Sequence, residues 1–346
     1  MVSLPTDFWR AFPLPYKEIP HRQRRSKQRT KVAFEVRNGT SQLQRRGRLA
    51  AHPMPATMTS HFFTVDVEEY FQVKALESAV SREEWISRPS RVARSVDALL
   101  DWLDQYNARG TFFVLGWIAE HRPEVVHAIS ARGHEIASHG YWHQRVTSLD
   151  PSAFREDIRA SKHALERLIG TEVVGYRAPS FSIVPGLEWA FDVLIEEGYK
   201  YDSSLFPIYR AGYGYPNSPR TPHIIQRSAG RIAEFPLATT TFFRYPIPAA
   251  GGGYLRQFPL AIIRRAFREA SERSEPATFY VHPWELDPDQ PRLPVSIANR
   301  VRHYRGLEGT LERMELILKE FSFTTIGSYL PALAGHPARL MTAGAA

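Results

Sequence analysis

His134-Glu135-Ile136-Ala137-Ser138-His139-Gly140-Tyr141-Trp142-His143 is a short apolar run that opens into a loop holding two histidines. His134 to Ser138 reads as a β-strand. Imidazoles four residues apart sit about one helical turn from each other, so both can reach one ion. A strand end followed by a loop is also where α/β proteins place chemistry. Alone, the pair is weak evidence, because 13 histidines in 346 residues make such spacings common by chance. Its company strengthens it. Asp66-Val67-Glu68 closes an earlier strand, Arg177-Ala178-Pro179 follows the next predicted one, and His282-Pro283 follows a later one.

Outward from this stretch a rhythm repeats: apolar strand, loop, amphipathic helix, glycine, next strand. Phe62 to Val67 is rich in β-branched and aromatic residues and reads as the first strand. Ser90 is placed to cap a helix to about Asn107, with Val92, Val96, Leu99, Leu100 and Leu103 on one face. Thr111 to Leu115 is the next strand. Pro123 fits a first helical turn, and Asp150-Pro151 reads as cap and first residue of a helix that stops at Gly170. Val173 to Arg177 and Tyr199 to Asp202 are further strands. Between 203 and 257 the pattern breaks into Pro-, Gly- and Tyr-rich sequence, read as long loops with a hairpin around Ile224 to Phe235. A helix over Phe258 to Glu272, a strand over Ala277 to Val281, a helix over Leu307 to Phe321 and a strand over Phe323 to Ile326 complete the pattern. Alternating helices and strands predict an α/β fold around a parallel sheet, open or closed into a barrel. The boundaries expected are a basic, disordered segment at 1–57, a single domain at 58–333, and a disordered tail at 334–346.

Composition is that of an ordinary globular chain, 43% apolar and 23% charged, with no run of 18 apolar residues to span a membrane. No secretory signal precedes the first strand, which favours a cytoplasmic location as an expectation. Cysteine is absent, which removes disulfides, thiolate ligands and cysteine nucleophiles together. A metal would have to be held by His and carboxylate, which suits zinc or a similar divalent ion. The net charge of +8 is carried by the N-terminal segment: residues 1–57 hold 12 Lys/Arg against 3 Asp/Glu, the remainder 32 against 33. The run His21 to Arg29 could bind nucleic acid or anionic lipid, but a solvated tail is the favoured reading, and no nucleic-acid partner is expected. A third reading takes Met58 as the natural start.

Side chains i and i+2 of a strand share a face, so Asp66 and Glu68 can point together while Val67 turns away. Two such carboxylates repel unless a cation or proton lies between them. Arg177 could hold a carboxylate by a bidentate pair and keep it ionised. Glu234 offers an acid to orient a histidine. Gly251-Gly252-Gly253 could let backbone approach a ligand, although a plain turn is the simpler reading.

Together these strings resemble the NodB-homology polysaccharide deacetylases, carbohydrate esterase family 4, over roughly residues 60–330 and in that family's motif order. Thr64-Val65-Asp66-Val67-Glu68 is similar to the first motif, His139 to His143 to the second, Arg177-Ala178-Pro179 to the third, and Val281-His282 to the fifth. Glu234 falls where the fourth belongs. Tyr201-Asp202-Ser203-Ser204, Gly251 to Tyr254 and His282-Pro283-Trp284-Glu285 resemble the branch encoded with exosortase-linked exopolysaccharide clusters. The resemblance implies a distorted (β/α) barrel of seven or eight strands, with its site at the strands' C-terminal ends. It implies a divalent metal, zinc above all, held by Glu68, His139 and His143, with Glu69 the alternative carboxylate. Asp66 would be the base, kept ionised by Arg177, and His282 the acid. Glu234 would support catalysis, while Tyr141, Pro179 and Trp284, with Tyr209, Tyr213 and Tyr215, would meet an acetylated glycan. Where many members have a second Asp in the first motif, this chain has Val67. Two alternatives stay open: a hydrolase of small non-peptide amides on the same barrel, and, supported by that departure, a degenerate carbohydrate-binding protein.

Overall fold

The structure is a computed structural model that describes residues 59–210, 212–333 and 335–340. The basic segment 1–57 and the Met58 start lie outside the described residues. The strands are β1 (His61–Val67), β2 (Gly110–Val114), β3 (Glu135–Ser138), β4 (Gly175–Tyr176), β5 (Tyr201–Asp202), β6 (His223–Arg227), β7 (Gly230–Glu234), β8 (Thr239–Phe242), β9 (Tyr245–Pro248), β10 (Thr278–Val281), β11 (Phe323–Thr324) and β12 (Ala338–Leu340).

The main sheet runs β10-β1-β2-β3-β4-β5-β7-β6-β12, with β11 also paired to β1. Every pairing in it is parallel except the β6–β7 hairpin. β1 is buried along its whole length, as expected of a parallel strand covered on both faces. Beyond β7 the chain bridges back to β10: Leu237 pairs with Thr278, and the Ala238 N–H donates to Thr278 O at 3.2 Å. This single bridge, not a continuous ladder, brings together the two ends of the path from β10 to β7. The α/β architecture expected from the strand–helix rhythm is the one observed.

The helices follow their local signals. Pro151–Ile169 starts at Asp150, whose Oδ1 accepts from the Ala153 N–H at 2.9 Å, and stops at Gly170 in the left-handed conformation. Val92–Gln105 buries Val92, Val96, Leu99, Leu100 and Leu103 against the sheet. Ser90 is not its cap. Ser90 Oγ and the Arg91 N–H instead both donate to the carboxylate of Glu69, which closes the helix start from across the loop.

Four features depart from the sequence expectations. Val173 to Arg177 shortens to a two-residue strand, β4. The region 203–257 holds a second hairpin, β8–β9, besides the expected one. The tail expected to lack order contains β12, which pairs in parallel with β6. Gly251 is more than a turn residue. At φ +132 its α-carbon lies so close to β10 that a Cβ would sit 1.9 Å from Tyr280 O, so only glycine lets this segment dock there. No helix among the described residues is long and apolar enough to cross a membrane.

His61 opens β1 inside a shell of Phe267, Phe321 and Phe323. Its Nδ1 accepts from the Ala277 N–H at 3.1 Å. Burial pushes its pKa down to about 4. The unfolded chain therefore binds one more proton than the fold between pH ~6.5 and ~4, so stability falls as pH drops through that window. Denaturant unfolding from pH 7 to 4.5 is expected to show His61 contributing about 1.4 kcal/mol per pH unit. His61→Asn is expected to remove that share of the slope.

Candidate metal and acid–base site

Thr64, Asp66 and Glu68 lie at alternate positions along β1 and just past its end, so their side chains point to one interior face. All three are buried. Thr64 Oγ1 donates to Phe279 O on β10 at 2.7 Å and accepts from Arg177 Nη1 at 2.8 Å.

His139 leaves the end of β3, and His143 follows one loop later at φ +53. The ligand atoms of Glu68, His139 and His143 all lie within 4.8 Å of one another. His139 Nδ1 donates to Arg177 O at 2.8 Å, which leaves Nε2 as a free lone pair aimed into the site. Burial holds His139 down to about 4, so the imidazole is neutral at ordinary pH, the form that ligates. Glu68 Oε2 is buried 2.7 Å from His143 Nε2, and no other donor reaches it. Two imidazole nitrogens and one carboxylate oxygen, all within reach of one point, are a donor set that fits a divalent cation. Burial would raise the Glu68 carboxyl, but the contact with His143, with His282 beyond it, outweighs burial and holds it at about 2.

The histidine loop is clamped from below by Asp157, on the helix Pro151–Ile169. Its two oxygens accept from the backbone N–H groups of Tyr141 at 2.9 Å and Trp142 at 3.1 Å. Gly140 permits this approach: at φ +75, a Cβ there would meet Asp157 Oδ2 at 2.6 Å.

Arg177 follows β4 and is wholly buried. Nη1 donates to Asp66 Oδ1 at 2.7 Å, Nε to Ser203 O at 3.0 Å, and Nη2 to Ser203 Oγ at 2.8 Å. The ring of Phe113 lies 4.1 Å from the guanidinium carbon. The contact to Asp66 is therefore single rather than bidentate, because the other donors tie Arg177 to Ser203. Asp66 Oδ2 faces His282 Nε2 across 3.9 Å, and Glu68 Oε1 faces the same nitrogen across 3.7 Å.

His282 follows β10. Glu285 Oε2 accepts from its Nδ1 at 2.9 Å and from its backbone N–H at 3.0 Å. Burial opposes a charge on His282, but Glu285, Glu68 and Asp66 outweigh it and raise the pKa to about 9. The Trp284 indole N–H donates to Glu68 Oε1 at 3.0 Å.

Asp66, Glu68, His139, His143, Arg177 and His282 thus converge. Other sequence candidates go elsewhere. Glu69 caps the helix Val92–Gln105 and cannot share the triad. Glu234 does not touch His282. It is buried beside Asp202 and accepts from the Leu205 N–H at 3.0 Å. Burial and the Asp202 charge push its pKa well up. That pair braces Ser204, whose Oγ donates to Asp202 and accepts from the Ala178 N–H beside Arg177. Tyr141 turns away to donate its phenol to Glu120 at 2.6 Å, and Pro179 is buried under Gly140. Trp284 and Tyr215 are buried, Tyr213 is half-buried, and Tyr209 is exposed. Glu285 and Asp157 were not expected from the sequence. The only signal for Glu285 was its position in His282-Pro283-Trp284-Glu285.

Residues 89–187 match the family described as polysaccharide deacetylase, and residues 203–331 match a domain of unknown function, DUF3473. A peptidoglycan-N-acetylglucosamine deacetylase of Bacillus cereus is 36% identical over 93 residues, 27% of this chain and 34% of that protein. A peptidoglycan deacetylase-like protein of Gibberella zeae, FGM2, is 35% identical over 112 residues, 32% of each chain. A crystal structure from Mycobacterium smegmatis, assigned as a polysaccharide deacetylase, aligns with a TM-score of 0.58 at 20% identity, over 87% of this chain and 99% of that one. That likeness establishes the shared fold. The match to the polysaccharide deacetylase family is thus confined to residues 89–187, and the chain spans about a third of the length of these curated relatives.

The clamp under the histidine loop yields a direct expectation. Asp157→Asn keeps the shape but loses one acceptor, so divalent-ion affinity is expected to fall roughly tenfold or more. Competition titration against a chromophoric chelator measures it.

Proposed function

We propose that this chain hydrolyses N-acetyl groups from the hexosamine units of a polysaccharide or lipid-linked oligosaccharide, releasing acetate and leaving a free amine on the sugar. One observation carries the reading: an Arg-held Asp66 and a Glu-held His282 face each other across a Glu68–His139–His143 cluster. Glu68, His139 and His143 hold one divalent ion, most naturally zinc. Bound there, the ion would polarise the acetyl carbonyl and make a water molecule more acidic.

The protein groups supply the rest. Arg177 fixes Asp66 through Oδ1, which leaves Oδ2 to take the proton of the attacking water. His282 Nε2 passes its proton to the sugar nitrogen as the C–N bond breaks. Val67 in place of a second Asp is consistent with this scheme, because Glu68 supplies the carboxylate from one residue further along. The resemblance of Tyr201 to Ser204, Gly251 to Tyr254 and His282 to Glu285 supports bacterial exopolysaccharide synthesis as the setting, with the glycan met at the inner membrane surface.

Acetate release from a panel of acetylated glycans, run beside metal analysis, tests the reading. Chelation is expected to abolish release and added zinc to restore it. Asp66→Asn is expected to lower kcat by roughly 10²–10⁴-fold while the ion stays bound. His139→Ala is expected to lose both ion and activity. Near-normal turnover by Asp66→Asn would remove Asp66 as the base.

A further inference from the structure

The matched deacetylase segment ends at Leu187, before β5, so His282, with Arg256, Trp284, Glu285 and His303 behind it, falls within residues 203–331, the part matched to a domain of unknown function. That part also supplies β6 to β11, including the β10 strand beside β1. It completes the sheet that the first half begins.

Within it, Arg256, Glu285 and His282 form a line, the first two buried and His282 part-buried. Arg256, on the short helix Gly253–Gln257, donates from Nε to Glu285 Oε1 at 2.6 Å. Its Nη1 donates to His303 O at 2.8 Å and Arg305 O at 2.7 Å, and its Nη2 to Arg302 O at 3.3 Å. The guanidinium therefore cannot swing. Glu285 is fully buried, and its other oxygen takes both the Nδ1 and the backbone N–H of His282. Trp284 is stacked between the rings of His282 and His303, at 5.0 and 4.2 Å. The helix that carries Arg256 is docked on β10 through Gly251 and Gly252, with the Gly252 N–H donating to Tyr280 O at 2.9 Å.

An imidazole held at Nδ1 and stacked on one face has one orientation left, with Nε2 toward Asp66 and Glu68. We propose that residues 203–331 provide the protonating arm of the site, in which Arg256 and Glu285 are positioning residues that lock His282 with Nε2 presented to the leaving group. The proposal rests on the deacetylase reading for its substrate. The acid that aligns the proton donor lies three residues after it in the same turn, rather than on the strand that carries Glu234. An ion pair kept only for stability would account for the burial, but not for the second carboxylate oxygen being spent entirely on His282.

The test compares two substrates of the zinc-loaded full chain. An N-acetylglucosamine oligomer must have its leaving amine protonated, whereas 4-nitrophenyl acetate releases an anion that needs no proton. Glu285→Gln is expected to lower kcat on the oligomer by roughly 10²-fold with KM shifted only a few-fold, and to lower nitrophenyl acetate hydrolysis far less. The paired change Arg256→Met with Glu285→Gln removes both buried charges at once and is expected to give the same selective loss, so a misfolded single variant does not decide the matter. A second readout is independent of turnover: the wild-type chain is expected to show a downfield Nδ1–H proton resonance, absent in His282→Gln and in Glu285→Gln. Equal loss on both substrates, or oligomer turnover within a few-fold of wild type in both variants, overturns the proposal. So does a wild-type spectrum without that proton. A wild-type chain that shows the proton but releases no acetate from any glycan sinks the substrate reading and leaves the arm standing.

Discussion

A guanidinium with no access to water sits at the centre of the fold. Arg177 joins the β1 face, through Thr64 and Asp66, to the turn after β5, through Ser203. Such a charge is tolerable only if its donors are used and an anion lies close. Asp66 supplies the anion, and four hydrogen bonds use all three nitrogens. The same constraint passes onward. The carbonyl of Arg177 fixes the tautomer of His139, so the backbone that positions the cation also orients one imidazole of the cluster. The position of Asp66 and the tautomer of His139 are therefore set by a single buried side chain and its peptide unit.

The two halves of the chain meet at this point. Residues on β1 and β3 and the turn after β4 bring the carboxylates, the two loop histidines and the arginine. Residues after β10 bring His282 and the indole of Trp284. Neither half has a complete set. The parallel register of β1 with β10, from Phe62 opposite Thr278 to Val65 opposite Val281, is what aligns the two sets to within hydrogen-bonding scale. Sheet register thus fixes the distance between Asp66 and His282, more than two hundred residues apart in sequence.

Much of this was legible in the sequence, for physical reasons. The strands announced themselves through β-branched and aromatic runs, and the helices through periodic apolar faces with Asp150 and Gly170 at their ends. Asp66, Glu68, His139, His143, Arg177 and His282 could be picked out because each stands at a strand end, where direction is predictable. What could not be read depends on tertiary neighbours. Glu285 is a buried acid in a turn that reads as surface. Asp157 looks like any polar residue on an amphipathic helix until Gly140 is seen to lie against it. Glu234 has a motif-like position, yet its strand delivers it to Asp202 and away from His282. Ser90 had the right residue type for a cap, but Glu69 reaches the same helix start from β1's far end. β12 is three residues long and pairs with a strand more than a hundred positions earlier, so no local pattern marks it.

The indole of Trp284 has one more effect. By occupying Oε1 of Glu68 it turns a potentially chelating group into a ligand with a single available oxygen. Calcium and magnesium demand many oxygen donors, often with carboxylates bound through both atoms. Were an ion held there, a nitrogen-rich cluster whose lone carboxylate is denied its second grip would disfavour such hard ions by denticity, and a tryptophan that never touches the ion would help to choose it.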